Sequence, residues 1–310
     1  MRTSSGKPWS LGAALLAAVA LAAPAAAAAK TPPCFGAAAR DAANPCDNPE
    51  LHLTARPSPR AAPLLPALTC TFVRLPQPHV CAFATSRRRS RGSIALVGDS
   101  HAPAWRAAVD VLARGRRWRG LTLAKSSCPF SFARPRGMSD DAWGRCDAWV
   151  RDVLRWFRRH PEVHTVFLVN SGAYAWAEDA GVEGYRAALD MLPPTVKHVV
   201  VIRDNPKAAD STLPCVARAL RRRERPDQRC ALPRDEALLP DVPGRAAPRL
   251  AGGRGHAIDL SPFFCDDRLC YPVVGGALVF KDTSHITKVF SRTLGPYLAR
   301  EYRALGLPTP

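Results

Sequence analysis

A serine stands three positions after an apolar run in the segment IALVGDSHAPAW, residues 94–105. The run Ile94–Val97 leads through Gly98 and Asp99 to Ser100, and apolar residues then recur at helical spacing. In open α/β folds the carboxyl ends of parallel strands carry the ligand sites, so Ser100 stands where a nucleophile is expected. The alternative is structural, because Asp and Ser are both favoured as helix caps.

A serine nucleophile needs a base, and the base needs a group that orients it. The segment DTSH, residues 282–285, precedes the last amphipathic stretch of the chain. Its spacing lets Asp282 accept a hydrogen bond from one ring nitrogen of His285, while the other nitrogen is free to take a proton from Ser100. These residues predict a Ser-Asp-His triad. The alternative is that Asp282 or Thr283 caps the helix and His285 lies in its first turn.

Short apolar runs and amphipathic stretches alternate from Ser93 onward. The runs are Ile94–Val97, Leu121–Ala124, Val166–Val169, His198–Ile202 and Ala257–Leu260, and helical spacing is found in Trp143–Phe157, Gly184–Leu192 and Ile286–Tyr302. Alternation of this kind predicts a mostly parallel sheet with helices on both faces, a three-layer α/β/α sandwich.

The first 29 residues have the features of a signal peptide. Arg2 and Lys7 precede the apolar run Leu11–Ala23, which leads into small residues at the expected cleavage point. We therefore expect a secreted or extracytoplasmic protein associated with the cell envelope. An uncleaved N-terminal anchor is the alternative, because residues 11–29 are just long enough to span a bilayer.

Residues 30–92 are rich in proline and cysteine and are predicted to form an extension or linker ahead of a domain at 93–310. An even number of cysteines, ten in this chain, favours disulfides in an exported protein. The simplest pairing joins neighbours: Cys34–Cys46, Cys70–Cys81, Cys128–Cys146, Cys215–Cys230 and Cys265–Cys270. The sequence has no CxxC motif, and we predict neither a metal site nor a cofactor.

The formal net charge of +18 is concentrated in the arginine runs at 87–91 and 221–225. Such patches attract polyanions, which for an exported protein are envelope polymers or anionic lipid headgroups. No nucleic-acid-binding motif accompanies the charge, so nucleic acid is not an expected partner. The alternative is that the runs are solvated loops.

Six segments occur in a characteristic order: VGDSHAPAW, LAKSSCPF, CDAWVRDVLRW, VFLVNSGAY, VVVIRDNPK and VFKDTSHIT. The GDS block and the Asp-x-x-His block resemble those of the SGNH (GDSL-type) hydrolase superfamily. More narrowly, the series resembles the extracytoplasmic SGNH domain of bacterial acyltransferase-3 O-acyltransferases, and CFGAAARDAANPC is similar to the linker ahead of that domain. The resemblance implies a flavodoxin-like sheet, with Ser100 as nucleophile, His285 as general base and acid, and Asp282 orienting His285.

The resemblance also implies an oxyanion site. Asn170, at the end of VFLVN, matches the superfamily's asparagine donor. The superfamily's glycine donor is missing from its expected place, where a backbone N–H of Ser126 or Ser127 is expected to serve instead. Apart from the resemblance, Tyr174 and Trp176 near Asn170 are candidates for stacking on a sugar ring, with core packing as the alternative.

The function expected on this basis is acyl transfer on ester-linked acyl groups, acetyl groups above all, of a cell-envelope carbohydrate. Water as acceptor would make the protein an esterase, and a sugar hydroxyl would make it an O-acyltransferase. Because the relatives carry a fused membrane domain, we expect a separately encoded membrane acyltransferase-3 protein as partner and the chain itself to be a monomer. The alternative is a non-catalytic module that binds envelope polyanions or glycans.

Overall fold

The computed structural model describes residues 1–3, 6, 31–65, 71–73, 78–177 and 179–308. The chain divides into two units at residue 31, and every element below belongs to the second unit. Most of the predicted signal peptide lies outside the described residues. In the part that is described, no helix combines the length and the apolar character needed to span a membrane.

The strands are β1 (Thr71–Val73), β2 (Val80–Ala84), β3 (Gly92–Gly98), β4 (Trp118–Ala124), β5 (Val163–Val169), β6 (His198–Ile202), β7 (Leu232–Pro233), β8 (Gly255–Ile258), β9 (Leu269–Cys270), β10 (Val273–Val274) and β11 (Ala277–Leu278). The α-helices are α1 (His101–Gly115), α2 (Asp140–Arg158), α3 (Ala180–Asp190), α4 (Thr212–Arg221), α5 (Pro226–Arg229), α6 (Arg234–Ala237), α7 (Val242–Ala246) and α8 (Lys288–Ala304). Short 3₁₀ helices cover Gly36–Arg40, Pro49–Leu51, Ala62–Leu64, Arg87–Arg89, Ala247–Arg249, Ala251–Gly253 and Ser261–Phe263.

Seven of these strands form one sheet in the order β1-β2-β4-β3-β5-β6-β8. The five strands from β4 to β8 in this order are parallel. Counted along the chain, these five follow the flavodoxin-like order 2-1-3-4-5. Two antiparallel strands, β1 and β2, extend the sheet beyond β4. The sheet therefore begins inside the segment 30–92, where the sequence predicts an extension.

Alternate residues of the central strands point to opposite faces of the sheet. In β3, Ile94 and Leu96 join the core formed with α1 and α8. The intervening Ala95 and Val97 join the core formed with α2 and α3. Both faces are buried, which explains why the strands appear in the sequence as continuous apolar runs. The predicted three-layer α/β/α sandwich with a mostly parallel sheet is confirmed.

The start of the extension packs on α8. Ala37 is fully buried, and its backbone N–H donates to Thr293 Oγ1 over 3.0 Å. The contact is close, because a Cβ on Gly36 would lie 2.5 Å from the Thr293 side chain.

The structure contains disulfides Cys34–Cys46, Cys128–Cys146, Cys215–Cys230 and Cys265–Cys270. Cys70, of the other predicted pair, lies outside the described residues.

Candidate active site

Ser100 lies in the tight turn that joins β3 to α1. A side chain at Gly98 would have no room there, since a Cβ would lie 1.7 Å from the carbonyl oxygen of Val169 on the neighbouring strand β5. The carboxylate of Asp99 fixes the turn: Oδ1 accepts the backbone N–H of His101 over 2.8 Å, and Oδ2 accepts that of Ser171 over 2.9 Å. Asp99 thus ties the serine turn to the loop after β5 and leaves the half-buried Ser100 at the carboxyl edge of the sheet.

His285 joins Ser100 to Asp282. Its Nε2 is 2.8 Å from Ser100 Oγ, and its Nδ1 is 2.9 Å from Asp282 Oδ2. Asp282 also accepts the backbone N–H groups of Ser284 and His285, over 2.9 and 2.7 Å. Burial alone would raise the pKa of Asp282, but the hydrogen bonds from His285 and Ser284 outweigh it and hold that pKa well below its usual value. An ionised Asp282 stabilises the tautomer of His285 that carries its proton on Nδ1 and accepts at Nε2.

The loop after β6 holds the 282–285 segment in place. Asn205 donates from Nδ2 to the carbonyl oxygen of Ser284 over 2.7 Å, and the backbone N–H of Ala208 donates to that of Thr283 over 2.8 Å. Asn205 is itself held, because its Oδ1 accepts the indole N–H of Trp105 over 3.2 Å. The base-bearing loop is therefore anchored to α1, the helix that Ser100 precedes.

A second histidine–aspartate pair lies beside the first. His101 Nδ1 is 2.7 Å from Asp204 Oδ1, and the rings of His101 and His285 are 4.7 Å apart. Asp204 Oδ2 accepts the backbone N–H of Gly172 over 2.9 Å. Burial disfavours the charged form of His101, but Asp204 outweighs burial and raises the pKa of His101 to about 9. His101 is therefore an imidazolium at neutral pH, paired with a carboxylate.

Asn170 presents a free amide donor close to the serine turn. It is buried at the end of β5, and its Oδ1 accepts the backbone N–H of Phe130 over 3.3 Å. Its Nδ2 has no hydrogen-bond partner among the described residues. Because buried polar groups are normally paired, an amide left open here is what an oxyanion donor requires.

Residues 125–128, where the resemblance places the superfamily's glycine, form a turn in which the N–H of Cys128 donates to the carbonyl oxygen of Lys125 over 3.1 Å. Ser127 adopts a φ of +60° in this turn, a left-handed conformation. Ser126 lines the same cavity as Ser100. The disulfide between Cys128 and Cys146 joins the turn to α2.

The cavity next to Ser100 has a volume of about 270 Å³. It is lined by Leu65, Ser100, Pro103, Ala104, Ala107, Ser126, Lys281, Asp282, His285, Ile286 and Lys288. Ser100, His285 and Asp282 thus face one open space, whose walls are partly apolar and partly charged.

The two residues predicted to stack on a sugar ring, Tyr174 and Trp176, are not among the described residues that line the cavity beside Ser100. Trp176 packs against Tyr185, with ring centroids 5.6 Å apart, and covers Gly181, where a Cβ would lie 2.5 Å from the indole. Burial, and after it the charge of Asp99, raises the pKa of Tyr174. The contacts of Trp176 favour the packing alternative for that residue.

Sequence reasoning missed the roles of His101, Asp204 and Asn205. The sequence does contain a feature that points to Asp204 and Asn205. The segment RDNP at 203–206 follows β6, at the same edge of the sheet as Ser100 and Asn170. Polar residues at successive strand ends converge in a parallel sheet. In the described residues there is no cluster of three or more His, Cys, Asp or Glu side chains arranged to hold a metal.

Comparison with known proteins agrees with this fold. The family described as "SGNH domain (fused to AT3 domains)" matches residues 69–300, and the chain belongs to this family. The match begins at residue 69, so it includes the antiparallel strands β1 and β2. The chain therefore contains an SGNH domain of this family. The resemblance predicted from the sequence is confirmed.

Among solved structures, the lipopolysaccharide acetyltransferase periplasmic domain of Salmonella ser. Paratyphi A is similar, with 14% identity and a TM-score of 0.52 over 69% of this chain and 85% of that one. The esterase domain of a Rhodothermus marinus protein aligns with 11% identity and a TM-score of 0.32 over 76% of this chain and 97% of that one. No curated protein sequence matches the chain significantly. The Salmonella structure supports the fold, and the family match supports an enzyme of the SGNH type with acyl-transfer or esterase chemistry.

Proposed function

We propose that the protein is an extracytoplasmic serine enzyme that transfers ester-linked acyl groups, acetyl above all, to or from a cell-envelope carbohydrate. The observation that carries the proposal is the unbroken chain of contacts from Asp282 through His285 to Ser100, facing a cavity. A binding module has no need of a histidine held between a carboxylate and a serine hydroxyl.

In the first half-reaction Ser100 Oγ attacks the ester carbonyl while its proton passes to His285 Nε2. The imidazolium that forms is stabilised by the ionised Asp282 on its Nδ1 side. The carbonyl oxygen becomes an oxyanion, for which Asn170 Nδ2 and a backbone N–H of the 126–127 turn are the proposed donors. The C–O bond of the ester then breaks, and His285 gives its proton to the departing alcohol. An acyl-Ser100 remains.

In the second half-reaction an acceptor hydroxyl gives its proton to His285 and attacks the acyl carbon. The bond to Ser100 Oγ breaks, and the proton on His285 returns to the serine. Water as acceptor releases a carboxylic acid, and a sugar hydroxyl yields a new ester. The same residues serve both outcomes, so the acceptor that reaches the cavity decides between esterase and transferase.

Three observations support the extracytoplasmic location and the membrane partner. The disulfides among the described residues favour an oxidising compartment. The family is described as fused to AT3 domains, and the Salmonella neighbour is a periplasmic domain of an acetyltransferase. We therefore propose that a separate membrane acyltransferase-3 protein supplies the acyl group.

The test is rapid-mix release of p-nitrophenol from p-nitrophenyl acetate by the purified chain without residues 1–29. We expect a burst close to one equivalent that is absent from Ser100→Ala. Slow turnover after the burst would indicate an acyl-enzyme that waits for a sugar acceptor, and fast steady turnover would indicate an esterase. Equal release by wild type and Ser100→Ala would contradict the proposal and favour the binding module.

A further inference from the structure

The cavity beside Ser100 contains two lysines that the acyl-transfer steps do not use. Lys281 and Lys288 line it together with Ser100 and His285, and both lysines are half-buried. None of the ion pairs between described residues includes either lysine. Asp282 is the carboxylate in the described lining of the cavity, and both of its oxygens lie within 3.0 Å of His285 Nδ1. The cavity therefore holds positive charge that no carboxylate among the described residues pairs with.

Lys288 is at a position where the helix itself disfavours a cation. It is the first residue of α8, directly after the N-cap Thr287, and the first turn contains no acidic residue. The N-terminus of a helix carries a partial positive charge, which favours anions and repels lysine. The lysine side chain and the helix end therefore add to a positive potential at the cavity, and an anion bound there would lower the energy of both.

The remaining lining indicates where the acyl group lies. Pro103, Ala104 and Ala107 present an apolar strip of α1 to the cavity, and Ile286 adds to it. A short acyl chain on Ser100 would find apolar contacts along this strip. The negative charge that the lysines would bind then belongs to the other part of the ester, the alcohol.

We propose that Lys281 and Lys288 bind a carboxylate or phosphate on the alcohol portion of the ester, so that the carbohydrate substrate is an acidic glycan. This inference rests on the proposed function and specifies its substrate class. The lysines are specificity residues, since their contact is with a group away from the reacting carbon.

The experiment compares three esters: phenyl acetate, 4-acetoxybenzoate, which carries its charge on the alcohol side, and mono-4-nitrophenyl succinate, which carries it on the acyl side. Each kcat/KM is divided by the rate of spontaneous hydrolysis of the same ester. In wild type we expect a preference for 4-acetoxybenzoate over phenyl acetate. The double variant Lys281→Gln/Lys288→Gln should reduce that preference roughly fivefold, through KM, as two half-buried charges would. Added salt should reduce it in the wild type only.

Lys197→Gln is the matched control, because it removes the same charge from an exposed lysine just before β6, at the opposite edge of the sheet. It should leave the preference unchanged. An unchanged preference in the double variant would overturn the proposal, and so would a dependence on the lysines confined to the succinate ester. A general loss of folding lowers all three rates together and leaves the ratio intact. Absence of Ser100-dependent cleavage for every ester would instead contradict the proposed function.

Discussion

Two histidine–aspartate pairs lie side by side at the carboxyl edge of the sheet, and they are built for different tasks. The side chains of His285 and Asp282 are 24% and 42% exposed, whereas those of His101 and Asp204 are 4% and 12% exposed. The accessible pair lies at the cavity, in contact with the serine hydroxyl. The buried pair connects the start of α1 to the loops after β5 and β6. In the proposed mechanism the first pair moves a proton, whereas the second pair holds backbone groups in place.

From this difference we infer that the role of a histidine–aspartate pair depends on its exposure and on the further group that it contacts. His285 has Ser100 Oγ on its second nitrogen, so a proton arriving there changes the chemistry of the site. The second carboxylate oxygen of Asp204 accepts the backbone N–H of Gly172. A substitution of Asp204 is therefore expected to displace the loop after β5. Substitutions in the two pairs should therefore be separable into effects on rate and effects on stability.

The largest difference in kcat between the two pairs is expected when each aspartate is replaced by asparagine. In Asp282→Asn the side-chain oxygen still accepts from the 284 and 285 backbone, but the amide donates to His285 Nδ1 and forces the proton onto Nε2. The histidine can no longer accept from Ser100, so kcat should fall roughly 10⁴-fold, as for other triads. Steady-state release of p-nitrophenol is the measurement.

Asp204→Asn is the control for Asp282→Asn. It should lower the melting temperature more than the Asp282 variant does and reduce kcat far less. Comparable losses of activity in the two variants would show that the pairs are not distinct in function.

The next effect concerns Asn170, the proposed oxyanion donor, which is as buried as His101. Asn170→Ala should lower kcat by roughly 10²- to 10³-fold with little change in KM, if Nδ2 is an oxyanion donor. Asn170→Asp keeps an oxygen for the Phe130 N–H and removes only the donor, so it should lose the same activity. Retention of activity in the aspartate variant would assign Asn170 to structure alone.

How far the sequence predicts this arrangement depends on the range of the interaction. Ser100, Asp282 and His285 are recognisable because each stands at a local boundary, a strand end or the entry to a helix. The four described disulfides join cysteines only 5 to 18 residues apart. The prediction that each cysteine pairs with its neighbour in sequence therefore agrees with these four disulfides. The contact of His101 with Asp204 spans 103 residues, and nothing in either local sequence specifies it.

The antiparallel strand β2 was also missed, for a different reason. It is an apolar run of only five residues, VCAFA, between a proline-containing and an arginine-rich segment, and its sequence does not show that it pairs with β4 at the margin of the parallel sheet. Strand pairing of this kind is decided by the partner. Local composition therefore predicts the centre of the sheet better than its margin.

The buried pair can be tested by His101→Gln, which removes the charge and keeps a side chain that can hydrogen-bond. Removing one partner of a buried ion pair costs roughly 3 to 5 kcal/mol, because the other charge is left uncompensated. We expect a loss of this order in the free energy of unfolding and a loss of roughly tenfold in kcat/KM, through displacement of the serine turn. Denaturant unfolding and ester hydrolysis measure the two. A large loss of rate without loss of stability would make His101 part of the chemistry.

The smallest and most specific effect is the pH dependence of that stability difference. The charged groups around His101 are Asp204, Asp99 and Asp282, and they raise its pKa from 6.5 to about 9 despite burial. A pKa raised in the folded state adds stability that is complete below pH 6.5 and disappears as the pH rises through 9. The gap in unfolding free energy between wild type and His101→Gln should therefore be constant from pH 5.5 to 6.5 and shrink by roughly 3 kcal/mol toward pH 9.5. Asp282→Asn keeps the His101–Asp204 pair but removes one of the charges that raise this pKa, so its stability should still fall as the pH rises above 6.5, starting at a somewhat lower pH than in wild type. A gap that widens with pH would mean that His101 is neutral in the folded protein, and the contrast between the two pairs would then rest on burial and on the groups they contact.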